Sequence, residues 1–479
     1  MNAIDSCYSV LPVWAQHVAI SGYGLYWRWL RFGPGYRHSV EGYAARGSFG
    51  AAEWQEWQKA RLIEILRQAA DRVPYYRESW GNAKKSAARA GRLQELPLLD
   101  KEPLRARPTA FLREDMRTIR PLIFHTSGST GTPIATYWTR REVRDSLALR
   151  EVRSADWAGV SFKLPRATFS GRMVEPDPQS SGPFYRFNAI ERQVYLSAFH
   201  LRADTAKAYV AALRRHNVQW MTGYAVSYYL LARFILEQGL EVPALKALVT
   251  TSEKVTPAMR DVMERAYRCR VFEEYSTVEN AVFASECERG RLHVSPDACV
   301  LEILRPDGSP CGPGEVGEVV ATCLMRSYQP LIRFRLGDLA AWDSAPCPCG
   351  RAMPVIKEVV GRLEDVVVGP DGRQMVRFHG VFVDQPHVQE GQIIQEALDR
   401  IRVKVVPVSG YGPSDEHDLI RRVQGRLGPN VSVVVETVGS IPRTKAGKFK
   451  AVVSLLRQSA AKNPGETSTT EISVPVSDI

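Results

Sequence analysis

The chain has 479 residues, 44% of them hydrophobic and 24% charged, a balance typical of globular proteins of two or three domains and unlike that of fibrous or disordered chains. Its 63 basic and 52 acidic residues give a net charge of +11, spread thinly and without basic blocks interleaved with base-stacking aromatics; this argues against nucleic acid and for an anionic small molecule such as a nucleotide, a carboxylate or CoA. Eight cysteines, an acidic Asp5 and no basic segment ahead of the first apolar run argue against export and a disulfide framework, and for a reducing, cytoplasmic setting.

Residues 8 to 30 are aromatic and apolar, but Gln16, His17, Ser21 and Arg28 interrupt them. A spanning helix needs about 20 mostly apolar residues, so this segment does not qualify. Trp27, Trp29 and Leu30 beside Arg28 and Arg31 offer a peripheral contact with a membrane surface. The commoner outcome for so marginal a pattern is an arm packed on its own domain, and residues 1–50 are read as that arm. From Glu53 to Arg72, apolar residues recur at Trp54, Trp57, Leu62, Ile65, Leu66 and Ala69, the spacing of an amphipathic helix that ends before Pro74. The mixed charges of Lys84 to Gln94 read as a linker.

The apolar run Pro121–Phe124 opens onto His125-Thr-Ser-Gly-Ser-Thr-Gly-Thr-Pro133. Glycines allow close backbone approach and hydroxyls add donors, so such a loop suits an anion such as a nucleotide phosphate. It is not a Walker loop, because no Gly-Lys-Ser/Thr follows. Taken alone, it fits a polar surface loop equally well. Helical patterns follow at Arg140–Arg153, Asp204–His216, Ala225–Gln238 and Pro257–Tyr267, and strand patterns at Leu245–Thr250 and Val271–Tyr275. Pro/Gly-rich residues from Ser161 to Phe187 read as loops and short strands. This alternation predicts an α/β core.

From about Cys299, short runs such as Val300–Leu304 and Glu318–Thr322 sit between Gly/Pro turns and predict a β-rich subdomain. Gly361 opens a last segment with a helix around Asp415–Leu427 and a strand at Val431–Val435. Ser459–Ile479 has no apolar period and reads as disordered. The expected fold is therefore α/β: a large domain over 51–361 with a β-rich subdomain, a small mobile α+β domain over 362–457, and a tail over 458–479.

Several further segments carry chemistry. Glu274-Tyr-Ser-Thr-Val-Glu279 follows a strand, placing a carboxylate at its exit, where α/β folds put ligands. Arg333-Phe-Arg-Leu-Gly-Asp338 sets an aspartate one residue past a glycine. Gly361-Arg-Leu-Glu-Asp365 follows, and Pro442-Arg-Thr-Lys-Ala-Gly-Lys448 lies near the C-terminus. In this order and spacing the set resembles the adenylate-forming superfamily of acyl-CoA synthetases, peptide-synthetase adenylation domains and luciferases. Within it, the likeness is to the phenylacetate–CoA ligase branch with its capsular polysaccharide-associated members, over about residues 55 to 455.

The resemblance implies ATP-dependent activation of a small carboxylic acid to an acyl-adenylate, then transfer to CoA, a carrier thiol or an amine. Thr126, Ser127, Gly128, Ser129, Thr130 and Gly131 would cradle the ATP phosphates. Ser252 and Glu253 would lie beside adenine, and Tyr275 would stack on it, with Ser276 and Thr277 in the same nucleotide-binding segment. Glu279 would hold Mg²⁺. Asp338 would accept both ribose hydroxyls, and Arg335 and Arg362 would sit near phosphates and ribose. Lys448 would bridge carboxylate and α-phosphate, with Glu364 or Asp365 at the hinge. The chemistry needs such a set. Attack of a carboxylate on phosphorus brings two anions together, so a metal and a mobile lysine must offset their charge.

Two positions depart from the family pattern. Val278 stands where Thr or Ser usually precedes the metal-binding glutamate, and Ser276 replaces the glycine after the tyrosine; Thr277 offers a hydroxyl from the neighbouring position. The departure sustains a second reading, a non-catalytic nucleotide-binding protein of a polysaccharide or specialised-metabolite pathway. The family places its pocket helix near Trp220–Tyr229, whose aromatics would suit an aryl or bulky acyl group, although such residues at helical spacing are more often core.

Cys287-x₅-His293 and Cys347-Pro-Cys349 supply three thiolates and an imidazole, enough for a closed tetrahedral Zn²⁺ site, while paired cysteines also pack as small apolar residues. The resembled branch includes members with a structural zinc in this arrangement. Cys7, Cys269, Cys299, Cys311 and Cys323 fit no ligand pattern.

Overall fold

The computed structural model describes residues 8, 11–126, 134–170, 174–175, 180–198, 200–362, 367–370, 374–375, 381–382, 385–443 and 449–456. The fold is α/β. A twelve-stranded sheet runs through the larger part of the chain, preceded by helices that include the short α4 (Pro74–Ser79) and α6 (Lys101–Ala106); a two-stranded pair, β15 (Val367–Val368) with β16 (Gln374–Met375), and a four-stranded sheet with one helix follow it.

The centre of the large sheet is parallel. Strands β3 (Arg166–Phe169), β5 (Gln193–Leu196), β6 (Trp220–Tyr224), β7 (Ala247–Thr251) and β8 (Arg270–Ser276) lie side by side in the order β5-β3-β6-β7-β8. β5 and β6 are buried at every position, as strands covered on both faces must be. Helices α8 (Ala206–Arg215), α9 (Ala225–Glu237) and α10 (Pro257–Tyr267) contribute to the core beside this half. Pro257 occupies the first turn of α10, where Thr256 Oγ1 accepts from the Met259 N–H at 3.2 Å, so the helix starts where proline and a hydroxyl cap direct it.

Beyond β8 the sheet becomes antiparallel through β9 (Phe283–Glu286), β10 (Leu292–Val294) and β14 (Val355–Arg362), and then β13 (Phe334–Trp342), β12 (Val316–Cys323) and β11 (Cys299–Leu304). This is the expected β-rich region. It is continuous with the parallel half rather than a separate layer. The hairpin β1 (Leu122–His125) and β2 (Ala135–Trp138) stands apart as its own two-stranded sheet, with His125 opposite Ala135. The glycine-rich segment joins these two strands.

The N-terminal arm is helical. Helix α1 (Val13–Phe32) packs on β4 (Tyr185–Asn188) and on α7 (Arg140–Arg150), and α2 (Tyr36–Arg46) also lies against α7. The Arg144 guanidinium donates to the carbonyls of Leu30 and Pro34 and so fixes the end of α1. Among the described residues no helix is long and apolar enough to cross a membrane. Helix α3 (Ala51–Arg72) buries Trp54, Ile65, Leu66 and Ala69 as its period requires. The expected linker at 84–94 is instead mostly helical, α5 (Asn82–Arg89) and a short turn at Leu93–Glu95. Ala87 and Ala88 are its buried residues, and eight residues are too few to display an apolar period.

The second sheet has the order β19 (Ser432–Thr437), β18 (Arg400–Pro407), β17 (Val388–Ala397), β20 (Val452–Ser454). Helix α11 (Pro413–Leu427) buries Leu419, Val423 and Leu427 at four-residue spacing in one core with Ile401, Val403 and Val405. The predicted helix at Asp415–Leu427 and strand at Val431–Val435 match these elements to within two residues at each end.

Candidate active site

A cleft of about 1340 Å³ lies where the ends of β7, β8 and β13 face the second sheet. Its lining includes Thr126, Ser252, Glu253, Tyr275, Glu279 and Asp338, from separate segments of the chain. Thr126 ties off the glycine-rich segment: its N–H donates to the Ile134 carbonyl and its Oγ1 accepts from the Ile134 N–H, both at 3.0 Å. Residues 127–133, including Ser127, Gly128, Ser129, Thr130 and Gly131, lie outside the described residues.

At the exit of β7 the chain turns sharply, with Ser252 at φ 68°. Next to it, Glu253 accepts from the Val226 N–H at 2.9 Å, at the start of α9, and from the Phe449 N–H at 3.2 Å. One carboxylate thus joins the large sheet's helical layer to the C-terminal segment. At the exit of β8 the Tyr275 hydroxyl donates to Asp338 Oδ2 at 2.8 Å. Asp338 reaches the cleft from β13 together with Leu336, two residues earlier on the same strand face.

The charges at the end of β8 are sorted by pairing. Buried Glu274 takes an ion pair from Arg150 at 2.8 Å and a hydrogen bond from Ser276 Oγ at 3.2 Å. Glu279 is also buried, and its backbone carbonyl accepts from the fully buried Arg326 at 2.9 Å. Thr277 Oγ1 accepts from the Ala281 N–H at 3.3 Å, which leaves the hydroxyl proton able to donate. The Val278 side chain is 42% exposed and, being aliphatic, brings no polar group to this turn.

Sequence reasoning did not single out a further cluster in the cleft wall. Arg260 donates to Glu273 at 3.0 Å and to Glu286 at 2.9 Å. Burial pushes the Glu273 carboxyl up, against the opposing pull of Arg260. The three residues lie on different elements, α10, β8 and β9, and no local spacing relates them.

Away from the cleft, Cys287, His293, Cys347 and Cys349 converge with all donor atoms within 4.8 Å of one another. The Cys287 and Cys347 sulfurs are 3.7 Å apart, and Cys349 Sγ is 3.4 Å from His293 Nε2. His293 Nδ1 lies 3.2 Å from the Met353 carbonyl, a contact that places the ring proton on Nδ1 and turns the Nε2 lone pair to the sulfurs. Burial pushes the Cys347 thiol up to about 12.

Residues 371–455 match the CapK C-terminal domain family. Over 84% of this chain and 89% of its own length, Protein CapK of Staphylococcus aureus is 23% identical. A phenylacetate–coenzyme A ligase of Escherichia coli is 27% identical over 84% of this chain and 95% of its own. The chain is homologous to CapK and to the phenylacetate–CoA ligases. Its fold is that of the adenylate-forming ligases: 2-hydroxyisobutyryl-CoA ligase in its postadenylation state superposes with a TM-score of 0.64 at 21% identity, covering 87% of this chain and 93% of that one.

Set beside the expectations from this family, Thr126, Ser252, Glu253, Tyr275, Ser276, Thr277, Glu279 and Asp338 all line one cleft. Arg335 does not. It alternates with Leu336 along β13 and points to the other side, where Glu318 holds it at 2.6 Å and Asp100 at 3.3 Å. The backbone of Arg362 pairs with Asp338; its side chain, Glu364, Asp365 and Lys448 lie outside the described residues. The segment 220–229 is also corrected. It is a strand followed by the start of a helix, and Trp220 and Tyr228 are core residues, 1% and 0% exposed. Tyr228 spends its hydroxyl on the Thr222 carbonyl at 2.8 Å. From this segment Val226 and Tyr229 line the cleft.

Proposed function

We propose that this chain is an ATP-dependent ligase that activates a small carboxylic acid as its acyl-adenylate and passes the acyl group to CoA or to another thiol or amine. The observation that carries this reading is the Tyr275–Asp338 pair, set in one cleft with Thr126, Glu253 and Glu279. Asp338 is an acceptor suited to ribose hydroxyls, and the Tyr275 ring beside it offers a face for a base. Arg150 neutralises Glu274, and Glu279 is assigned to the metal by the family motif it completes; Mg²⁺ bound there would offset negative charge on the phosphates. Lys448 is assigned to the carboxylate and α-phosphate, and the Glu253 contact to Phe449 supports bringing its segment to the cleft.

In this reading residues 51–361 form the large domain and residues 362–457 a mobile lid, as in ligases whose catalytic lysine is delivered by domain movement. The four-residue Cys/His cluster fits a closed structural Zn²⁺ site in donor set and in the orientation of His293. It would tie the β9–β10 hairpin to the turn before β14. None of the described cysteines is in a disulfide, and the proposed setting is the reducing cytoplasm. Val226, Tyr229 and Met259 provide an apolar and aromatic part of the lining for the acyl group.

Acid-dependent exchange of pyrophosphate into ATP, run with a panel of aliphatic and aromatic acids, tests the proposal. At least one acid should support exchange, and Glu279→Gln and Lys448→Ala should abolish it. The exposed Val278 favours the second reading, nucleotide binding without turnover. Tight ATP binding with no exchange for any acid would select it.

A further inference from the structure

Helix α1 carries an apolar stripe that ligase chemistry does not use. Trp14, Val18, Leu25 and Trp29 on the helix are 70%, 65%, 59% and 49% exposed, and Leu11 just before it is 39% exposed. Their spacing of three, four and seven residues stacks them along one face. With Tyr23, these are six of the eleven exposed large hydrophobic side chains among the described residues, gathered within nineteen positions.

The helix is already docked by its other face. Gln16, Gly24, Leu30 and Arg31 are buried. His17 Nδ1 accepts from the Phe187 N–H and Ser21 Oγ from the Ala189 N–H, both at 2.9 Å. Beside the stripe the apolar surface continues over Phe187, Ala189 and Ile190 in a shallow hollow. The exposed face is therefore an outer surface of the folded protein.

Charge identifies what covers it. From Ser6 to Val40 the chain holds no aspartate or glutamate. Exposed Arg28 and Lys163 flank the end of the stripe, both near the Phe32 ring at 5.5 and 5.9 Å, and Arg192 is exposed just beyond Ile190. A second copy of the chain is a poor occupant, because docking through this face would bring these cations together with no carboxylate on either helix to pair them. An anionic bilayer offers both an apolar layer and negative headgroups, and tryptophans favour its interface.

We propose that α1 seats the protein on an anionic lipid surface, with the Trp14–Trp29 stripe in the headgroup–acyl boundary and Arg28, Lys163 and Arg192 on the headgroups. This is independent of the ligase reading. The test is co-sedimentation of the full chain with vesicles of phosphatidylcholine containing about one-third phosphatidylglycerol, and with pure phosphatidylcholine vesicles. The chain should bind the anionic vesicles, with a blue shift of tryptophan fluorescence, and bind the neutral ones far more weakly. Trp14→Ser with Leu25→Ser should lower binding by at least about tenfold, with helicity and thermal midpoint retained. Arg28→Glu, which leaves the stripe intact, should lower it by about fivefold or more. No binding to anionic vesicles, equal binding to both, or a dimer that persists in the presence of vesicles and is lost in the stripe variant would overturn the proposal.

Discussion

Glu253 accepts from the backbone of Phe449, 3.2 Å away, while its other oxygen holds the first turn of α9. Phe449 follows Lys448 directly in the chain, so the carboxylate sits one residue from the lysine assigned to catalysis. Arg443 steadies the same segment, stacking on the Phe449 ring at 4.8 Å and pairing with Glu390 at 2.5 Å. Hydrogen bonds to an ionised acceptor contribute about 1.5–3 kcal/mol. Glu253→Ala should therefore slow adenylate formation by roughly tenfold or more, with a smaller change in the KM for ATP. Glu253→Gln keeps one acceptor oxygen and should recover part of the rate. Equal loss in both variants, or a loss confined to KM, would count against this role. Pyrophosphate exchange measures it.

Tyr275→Phe removes the hydroxyl that holds Asp338 and keeps the ring. At about 1 kcal/mol for the lost hydrogen bond, ATP affinity should fall about fivefold. Calorimetric titration of ATP into the two proteins gives the comparison. A larger effect from Asp338→Asn is expected, since that change alters the ribose acceptor itself.

Arg335→Ala separates the observed geometry from the expectation carried by its motif. Held on the far side of β13 by Glu318 and Asp100, Arg335 should be dispensable for exchange activity. Its loss should cost stability of at most about 1 kcal/mol, as for partly exposed ion pairs. A large fall in exchange rate with an unchanged melting curve would return Arg335 to the site.

The Cys/His cluster should carry one zinc per chain, measured by mass spectrometry of the purified protein. Cys349→Ser or chelation should release it and lower the thermal midpoint, because the bound ion stabilises the folded state alone. Cobalt substitution should show thiolate charge-transfer bands. Zinc-free protein with an unchanged melting curve would argue for plain packing of the four side chains.

Two histidines at the α1–β4 junction make its stability pH-dependent. His216 stacks on Phe187 at 3.9 Å, and burial, with Arg215 and His17, pushes its pKa down to about 4. Burial and Arg186 also lower that of His17, whose Nδ1 must stay unprotonated to accept from Phe187. Above the ordinary value of 6.5 both are neutral, folded or unfolded, and the junction has its full stability. As pH falls from there towards 4, the unfolded chain takes up protons that the folded one resists, so stability declines. The protection of the α1 amides against hydrogen exchange, taken relative to their intrinsic rates, should fall between pH 7 and about 5, and His216→Phe should flatten the profile.

Periodicity and turn residues by themselves determined the α/β class, the bounds of helices α3 and α7 to α11 to within a few residues, and those of a minority of the strands, while the nucleotide-site candidates were assigned through the family resemblance of their motifs. These are local properties, set by 3.6- and 2-residue repeats and by where proline and glycine interrupt them. Helix α5 escaped because eight residues carry no readable period. Tertiary structure alone decided which side chains meet. Tyr275 and Asp338 are 63 positions apart, and only the pairing of β8 through β9, β10 and β14 to β13 brings them within hydrogen-bonding distance. Three residues earlier on the same strand, an odd number, Arg335 faces away from Asp338, because a pleated strand alternates its side chains. The Arg260–Glu273–Glu286 network and the outward stripe of α1 have the same origin. A sequence states which residues are charged or apolar, and the packing of distant elements decides which of them stay exposed, find a partner, or face the cleft.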